Sequence, residues 1–199
     1  MATLRNLLLT MMLVAISLGF GQAQTAYAQG ATVVIYDQAR VMRDTAGGKD
    51  IANKLKAIGA SMKTELDGEG RSLETEGKSL ETRTANLTRE ALAADSSLRG
   101  QLEAFGRKRA TFQQKGQIRQ AELAQTEQEA WTEFFKVLQP VLQEVANERG
   151  AQVILERSSV AYSAPNLDVT STVISKMNSR KSSFPVTRAR IQAPPQTVQ

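Results

Sequence analysis

Residues 66–87 read LDGEGRSLETEGKSLETRTANL, a stretch with a leucine at every seventh position: Leu66, Leu73, Leu80 and Leu87. A seven-residue apolar repeat without proline is typical of a helix that packs along a partner helix. The second apolar position of each heptad is missing, because charged residues or Gly70 and Gly77 occupy the places where it should fall. Since each glycine costs a helix about 1 kcal/mol relative to alanine, the stretch predicts a helix that is marginal and flexible.

The flanking sequence predicts a partner for this helix. Apolar residues at a 3–4 spacing carry the first helix back to Ile51, and it extends to about residue 91. The polar segment 93–97 predicts a break, with Asp95 or Ser96 as the cap of a second helix that ends near Gly150. Two helices of similar length joined by a short polar turn predict an antiparallel hairpin. An arm of about 40 residues per helix is about 60 Å long, so the hairpin should project.

The second helix carries an apolar stripe interrupted by polar residues. Its predicted members are Leu102, Phe105, Phe112, Leu123 and Ala130. We expect Phe105 and Phe112 to lie in the seam of the hairpin rather than to contact a binding partner. Further along, Trp131 and Phe135 belong to a segment that is apolar on more than one face, which predicts a buried position in a compact body.

Short strands flank the hairpin on both sides. The segment 32–36 predicts a buried strand, followed by a short helix that begins at Asp37 and ends at Gly47-Gly48. After Gly150, the segments 152–155 and 160–162 predict two more strands, and Asp168 starts a last helix. The fold class is therefore α+β, mainly helical, with a long antiparallel helical arm on a small β body.

The predicted strands are too few and too short for an independently stable sheet. Their edges invite pairing with other copies of the chain, which predicts a homo-oligomer whose strands join. The candidate oligomerisation residues are Val33, Val34, Ile35, Val153, Ile154 and Leu155. By residue range, the body comprises 29–48 and 138–178, and the arm comprises 49–137 with its tip near 93–97.

The first 28 residues have the pattern of a secretory signal peptide. Arg5 precedes an apolar run, and Ala26-Tyr27-Ala28 supplies the small residues that a signal peptidase needs. The apolar run is shorter than the roughly 20 residues of a membrane span, so cleavage after Ala28 is favoured over anchoring. A cut after Ala23 is the alternative.

Composition excludes several classes of function. The chain has no histidine and no cysteine, which removes the commonest general base and the commonest metal ligands. We find no catalytic constellation and expect no enzyme, no cofactor and no metal site. The net charge of +5 favours anionic partners, but export argues against nucleic acid. Residues 179–199 contain three prolines, four basic residues and no acid, which predicts a disordered basic tail.

The returning helix has a one-sided basic patch. Its members, which we predict to contact a partner together with Leu73, Leu80 and Leu87, are Arg99, Arg107, Lys108, Arg109, Lys115 and Arg119. Up to position 120, Glu103 is the one acid on this helix after Leu98. A solvated helix face is the alternative interpretation of such a run of charges.

From about Ala31 to Asn178 the sequence resembles the Skp/OmpH family. The resemblance rests on the opening strand from Val33 to Asp37, the charged hairpin, the strand that starts at Ala151, and the segment from Val160 to Thr170. It implies a trimer with a small β-barrel body and three helical arms around a cavity. It also implies a periplasmic, ATP-independent holding chaperone for unfolded outer-membrane β-barrel proteins, with anionic lipid or lipopolysaccharide as a further partner.

Two other functions remain open. A structural coiled-coil protein of the envelope would need a richer apolar seam than this arm provides. A basic protein that binds membrane surfaces would carry its positive charge on both helices of the arm, whereas the outgoing helix is close to neutral.

Overall fold

The computed structural model describes residues 30–192. The elements in chain order are strand β1 (Val33–Tyr36), helices α1 (Gln38–Asp44), α2 (Ala46–Thr84), α3 (Arg89–Ala94) and α4 (Ser96–Arg149), strand β2 (Val153–Glu156) and helix α5 (Thr170–Arg180). Two 3-10 turns, Arg157–Ser159 and Pro165–Leu167, lie between β2 and α5. The predicted mainly helical α+β fold is confirmed. Among the helices described, none is both long and apolar enough to cross a membrane.

The two strands form a parallel pair that the whole hairpin connects. Val33 lies opposite Val153 and Tyr36 lies opposite Glu156. On the other side of β1, the amide of Val169 donates to the carbonyl of Ile35. The described part of the chain places no strand against the outer edge of β2.

The predicted strand at residues 160–162 is wrong. Val160 instead ends a 3-10 turn by donating its amide to the carbonyl of Arg157. Tyr162 then points outwards and is 84% exposed. With no neighbouring backbone to pair with, a β-branched and aromatic sequence does not make a strand by itself.

The core lies where the base of the hairpin meets the strands and α5. Phe134 on α4 is fully buried at its centre, and the ring of Trp131 meets it edge-on at 5.5 Å. Trp131 and Phe135 are partly buried and pack against this core, as predicted. Val173 and Met177 of α5 close it from the other side.

The start of the long helix differs from the prediction at Gly47-Gly48. These glycines do not end α1, which stops at Asp44; they lie in the first turn of α2, where the Thr45 hydroxyl accepts from the Gly48 amide at 3.1 Å. A Cβ atom on Gly48 would lie 1.7 Å from the carbonyl oxygen of Met42. The sequence therefore requires glycine here for close packing of α1 on α2 rather than for a helix end.

The tip of the arm has two breaks instead of one. Helix α2 ends at Thr84, earlier than predicted, and the short helix α3 is capped by Thr88. The predicted break near 93–97 is present at Asp95, whose carboxylate accepts from the Leu98 amide at 2.8 Å. Helix α4 then runs without interruption to Gly150, which caps it in the left-handed conformation.

The predicted disorder of residues 179–199 is wrong for the part that the structure describes. Residues 179 and 180 belong to α5, and residues 181–192, here called the root strap, pack along the base of the hairpin. Phe184 is 1% exposed and joins the core. Composition predicted disorder because the segment is basic and rich in proline, but one buried aromatic side chain is enough to anchor it. Residues 193–199 and the predicted signal peptide lie outside the described residues.

Candidate functional site

The two helices of the arm pack through phenylalanine rings that lie on glycines. A Cβ atom on Gly77 would lie 2.9 Å from the Phe105 ring, and one on Gly70 would lie 3.3 Å from the Phe112 ring. The predicted seam position of both phenylalanines is confirmed. The missing apolar residue of each heptad is therefore supplied by the partner helix, because a glycine leaves room for a whole ring.

Charged pairs across the hairpin run beside this seam. The ammonium group of Lys108 bonds both carboxylate oxygens of Glu76 at 2.8 and 2.9 Å, and Lys115 bonds Glu69 in the same way at 3.0 and 2.9 Å. The pairs are seven residues apart on each helix, as are the phenylalanines. Both pairs are exposed, so each contributes on the order of 0.5 kcal/mol and fixes register more than stability.

An open groove of about 590 Å³ lies on the arm beside the two phenylalanine rings and their glycines. Its apolar lining comes from Leu73, Phe105 and Phe112, with Gly70 and Gly77 beneath the two rings. Arg109 borders it, with its guanidinium 5.9 Å from the centre of the Phe105 ring. The groove lies on the outer part of the arm and is open to solvent.

The family of the chain follows from its sequence over both body and arm. The family model described as "Outer membrane protein (OmpH-like)" matches residues 32–177, from the first strand to the last helix. The chain belongs to the OmpH-like family.

Two relatives extend this result. The chain is 26% identical over 166 residues to a protein of Yersinia enterocolitica named Chaperone protein Skp, a match that covers 83% of this chain and 97% of the relative. A crystal structure from Caulobacter crescentus, described as an OmpH-like outer membrane chaperone, superimposes with a TM-score of 0.68 at 28% identity. That match covers 81% of this chain and 92% of the solved one.

The basic patch predicted on the returning helix is only partly free in this OmpH-like arm. Lys108 and Lys115 are paired across the hairpin, and Arg119 lies 3.0 Å from Glu122. Within the described residues, Arg99 has no carboxylate partner, and neither has Arg109. Charge counted along one helix overlooked the acids that the antiparallel partner brings opposite. The role of these cations in binding stays a prediction.

The three predicted leucines have different environments. Leu73 lines the groove, whereas Leu80 is buried in the seam. Leu87 lies in the loop between α2 and α3 and is exposed. Leu73 and Leu87 can both be reached from outside, and of the two only Leu73 lines the groove.

The candidate oligomerisation residues divide by strand. Val34 and Ile35 of β1 are buried within the chain, while Val153 and Leu155 of β2 are 40% and 39% exposed. Val33 and Ile154 are partly buried. The apolar face of β2 is therefore exposed at the same strand whose outer edge carries no neighbour in the described chain.

Sequence reasoning missed a charged cluster at the base of the arm. Glu122 is 2% exposed, and both Arg119 and Arg188 bond it. Burial acts to raise the pKa of Glu122, but the hydrogen bonds from Arg188 and from the Ile191 amide, with the nearby charge of Arg119, outweigh it and leave the pKa below its ordinary value. One signal was available: the seven-residue spacing of Phe105 and Phe112 continues at Arg119 and Thr126, which are polar at seam positions.

Between residues 30 and 192, no cluster of three or more acidic side chains has metal-site geometry. On the arm, the pKa of Glu74 is held below its ordinary value by the hydrogen bond from Lys78, which keeps this carboxylate ionised. An exposed, ionised carboxylate is suited to solvation and pairing rather than to proton transfer.

Proposed function

We propose that this protein is a holding chaperone of the bacterial periplasm, which binds unfolded outer-membrane β-barrel proteins and prevents their aggregation without ATP. A chaperone role is supported by the relatives, which are named as chaperones and match along body and arm alike. The observation that carries the proposal is the open apolar groove on the arm, bordered by ion pairs and arginines.

The groove has the properties that holding without an energy source requires. It is shallow and accommodates side chains rather than a folded surface, so that each contact is weak and easily released. Its lining of Leu73 and two phenylalanine rings would accept rings or aliphatic side chains of different shapes. Several such contacts along an arm, or along several arms, would add to useful affinity through effective concentration.

The proposal includes assembly into a homotrimer. Two four-residue strands cannot form a stable sheet alone, and the outer edge of β2 offers unpaired backbone groups beside exposed Val153 and Leu155. Addition of strands from other copies would pair this edge and cover both side chains. Tyr162 lies near this region of the sequence and would be covered by the same assembly.

Export and the lack of enzymatic activity are also part of the proposal. The predicted signal peptide and the family both favour the periplasm, where ATP is absent as an energy source. Arg99 and Arg109, which have no carboxylate partner in the described chain, would draw acidic segments of a client or the anionic headgroups of lipid or lipopolysaccharide.

The test is the dilution of a urea-denatured outer-membrane barrel protein into buffer with and without the mature chain, followed by light scattering. We expect scattering to be suppressed without ATP at about one trimer per client. The variant Leu73→Gln, which makes the groove polar, should weaken suppression several-fold. Thr75→Gln is the matched control, because Thr75 is exposed on the same helix outside the groove.

Two outcomes would reject parts of this proposal. Unchanged scattering with a folded, oligomeric protein would reject the chaperone function and favour a structural coiled-coil protein of the envelope. If Leu73→Gln suppresses aggregation as well as the unmodified chain does, the chaperone function stands but the groove is not the place where clients bind.

A further inference from the structure

We infer that the root strap, residues 181–192, is a clasp that fixes the spacing of α2 and α4 at the base of the arm, with Arg188 as the positioning residue that limits the size of client the arms enclose. The size limit rests on the proposed function, whereas the clasp itself does not. The strap lies beyond residues 32–177, the part of the chain that matches the family.

The strap is anchored at one end by Phe184. Its ring lies 5.5 Å from the Phe134 ring, and Gly47 leaves the space that the ring occupies, since a Cβ atom there would lie 2.5 Å from it. The amide of Phe184 donates to Asp50 at 2.9 Å, and its carbonyl accepts from Lys54 at 2.7 Å. Side chain and backbone are thus both held by α2.

Arg188 then joins the two helices. Its guanidinium bonds both carboxylate oxygens of Glu65 on α2, at 2.6 and 3.2 Å. The same group bonds Glu122 on α4 through Nε at 3.1 Å and through Nη2 at 2.9 Å. One planar side chain with two donor edges makes this bridge, a geometry that the single ammonium group of a lysine does not offer.

Backbone groups of the strap hold α4 at two further points. The amide of Ala189 donates to the Thr126 hydroxyl at 2.9 Å, and the amide of Ile191 donates to Glu122 at 3.3 Å. Thr126 and Glu122 are both buried. A strap that only covered the surface would not need buried side-chain acceptors between the two helices.

Glu122 shows that the arm is built to receive the strap. A carboxylate 2% exposed is costly unless its oxygens are bonded, and the arm itself supplies one cation, Arg119. That cation is shared, because its Nε lies 3.2 Å from Glu65 without the alignment for a hydrogen bond. Without Arg188, two carboxylates and one arginine would remain at the seam, with a buried negative charge in excess.

The position of this cluster decides its effect. Beyond it, the helices bury apolar side chains such as Leu80 and pair their charges at the surface, where ion pairs are weak. The clasp is the last buried polar contact before that outer part, so it marks the point from which the two helices can separate. Loosening the clasp would move this point towards the body and let the arm open wider.

The test compares Arg188→Gln with Arg190→Gln in the full mature chain. Arg190 is exposed two residues along the same strap and has no carboxylate partner among residues 30–192, so it matches the change in charge and composition. Amide hydrogen exchange in Arg188→Gln should be about tenfold faster than in the unmodified chain at residues 62–66 and 119–126. The exchange rates in β1 and around Val141 should not change. Arg190→Gln should exchange like the unmodified chain.

Two results would overturn the clasp. Exchange in Arg188→Gln that equals that of Arg190→Gln would show that the bridge does not hold the root, and exchange that rises equally in the body would show a general loss of stability instead. If Arg188→Gln fails to fold, Glu65→Gln removes the charge on α2 with which Arg188 and Arg119 pair, and the same segments are measured.

The size limit is tested with a small and a large unfolded barrel protein. Arg188→Gln should raise the ratio of large to small client held by about threefold or more, while Arg190→Gln leaves it unchanged. Equal ratios would overturn the size limit. Failure of the unmodified chain to hold either client would reject the proposed function, and the exchange result would still decide the clasp.

Discussion

At the root of the arm, Arg188 bonds two carboxylates, one of them buried, and Phe184 fills the core beside them. A few turns further out, the same two helices are joined by exposed pairs such as Lys108 with Glu76 and by rings lying on glycines. A single hairpin can therefore be held firmly at its base and weakly towards its tip. What changes along it is the burial of the polar contacts rather than the helical pattern.

The largest expected effect is at the anchor of the root. Phe184→Ala leaves a cavity beside Phe134 and should destabilise the protein by about 3–5 kcal/mol, measured by urea unfolding. Phe112→Ala, in the open groove of the outer arm, is the control and should cost less than half as much. Equal costs would remove the contrast between the two regions.

Glycine substitutions test the same comparison, because one glycine lies in a close helix contact near the body and another has open space around it on the arm. Gly48→Ala places a Cβ atom against the Met42 carbonyl and should destabilise the chain by about 3 kcal/mol. Gly68→Ala meets nothing within 4 Å and should stabilise the arm by up to about 1 kcal/mol, since alanine is the better helix former. Thermal unfolding followed by circular dichroism gives both signs, and a loss of stability in Gly68→Ala would contradict the structure.

Acid should loosen the root of the arm. The hydrogen bond from Arg188 holds the pKa of Glu65 below its ordinary value of 4.5, and the pKa of Glu122 is lowered as well. A carboxyl whose pKa is lower in the folded state contributes stability that is present above pH 4.5 and is lost as the pH falls through the lowered value. Hydrogen exchange at pH 5.5 and 3.5, corrected for the intrinsic rate, should show a loss of protection at residues 119–126 at the lower pH. Arg188→Gln, in which the bridge is already broken, should show no further loss between the two pH values.

The smallest effect is expected in the outer arm. Lys108→Gln breaks an exposed pair and should cost no more than about 0.5 kcal/mol. The difference should disappear in 1 M salt, because exposed charges are then screened. Urea unfolding at two salt concentrations measures it; a cost above 1 kcal/mol would mean that the outer arm is held as firmly as the root.

Residue patterns predicted the hairpin, the cap at Asp37, a cap at Asp95 or Ser96 and the helix end at Gly150, because each of these depends on a few adjacent residues. They failed where distant segments decide the structure. On one helix alone, Gly70 and Gly77 indicate low helix stability. Their role in packing depends on the phenylalanine rings of the opposite helix.

The same limit applies to the candidate site. Lys108 and Lys115 looked unpaired because their acids lie more than thirty positions away on the other helix. Phe184 stood alone among basic residues and prolines, and nothing near it in sequence shows that it enters the core. The polar heptad positions Arg119 and Thr126 were the one local sign that a further segment would be received there.

The parallel pairing of β1 with β2 also dictates an order of assembly. Val33 cannot find Val153 until the complete hairpin has been made between them, and the core is closed only when Phe184 follows. Contacts between such distant positions form late because the loop that joins them must close first. The arm, whose contacts begin locally at the tip, can therefore form before the body. A chain cut short before Val153 would lack both the strand pairing and the Phe184 anchor that hold the base of its hairpin.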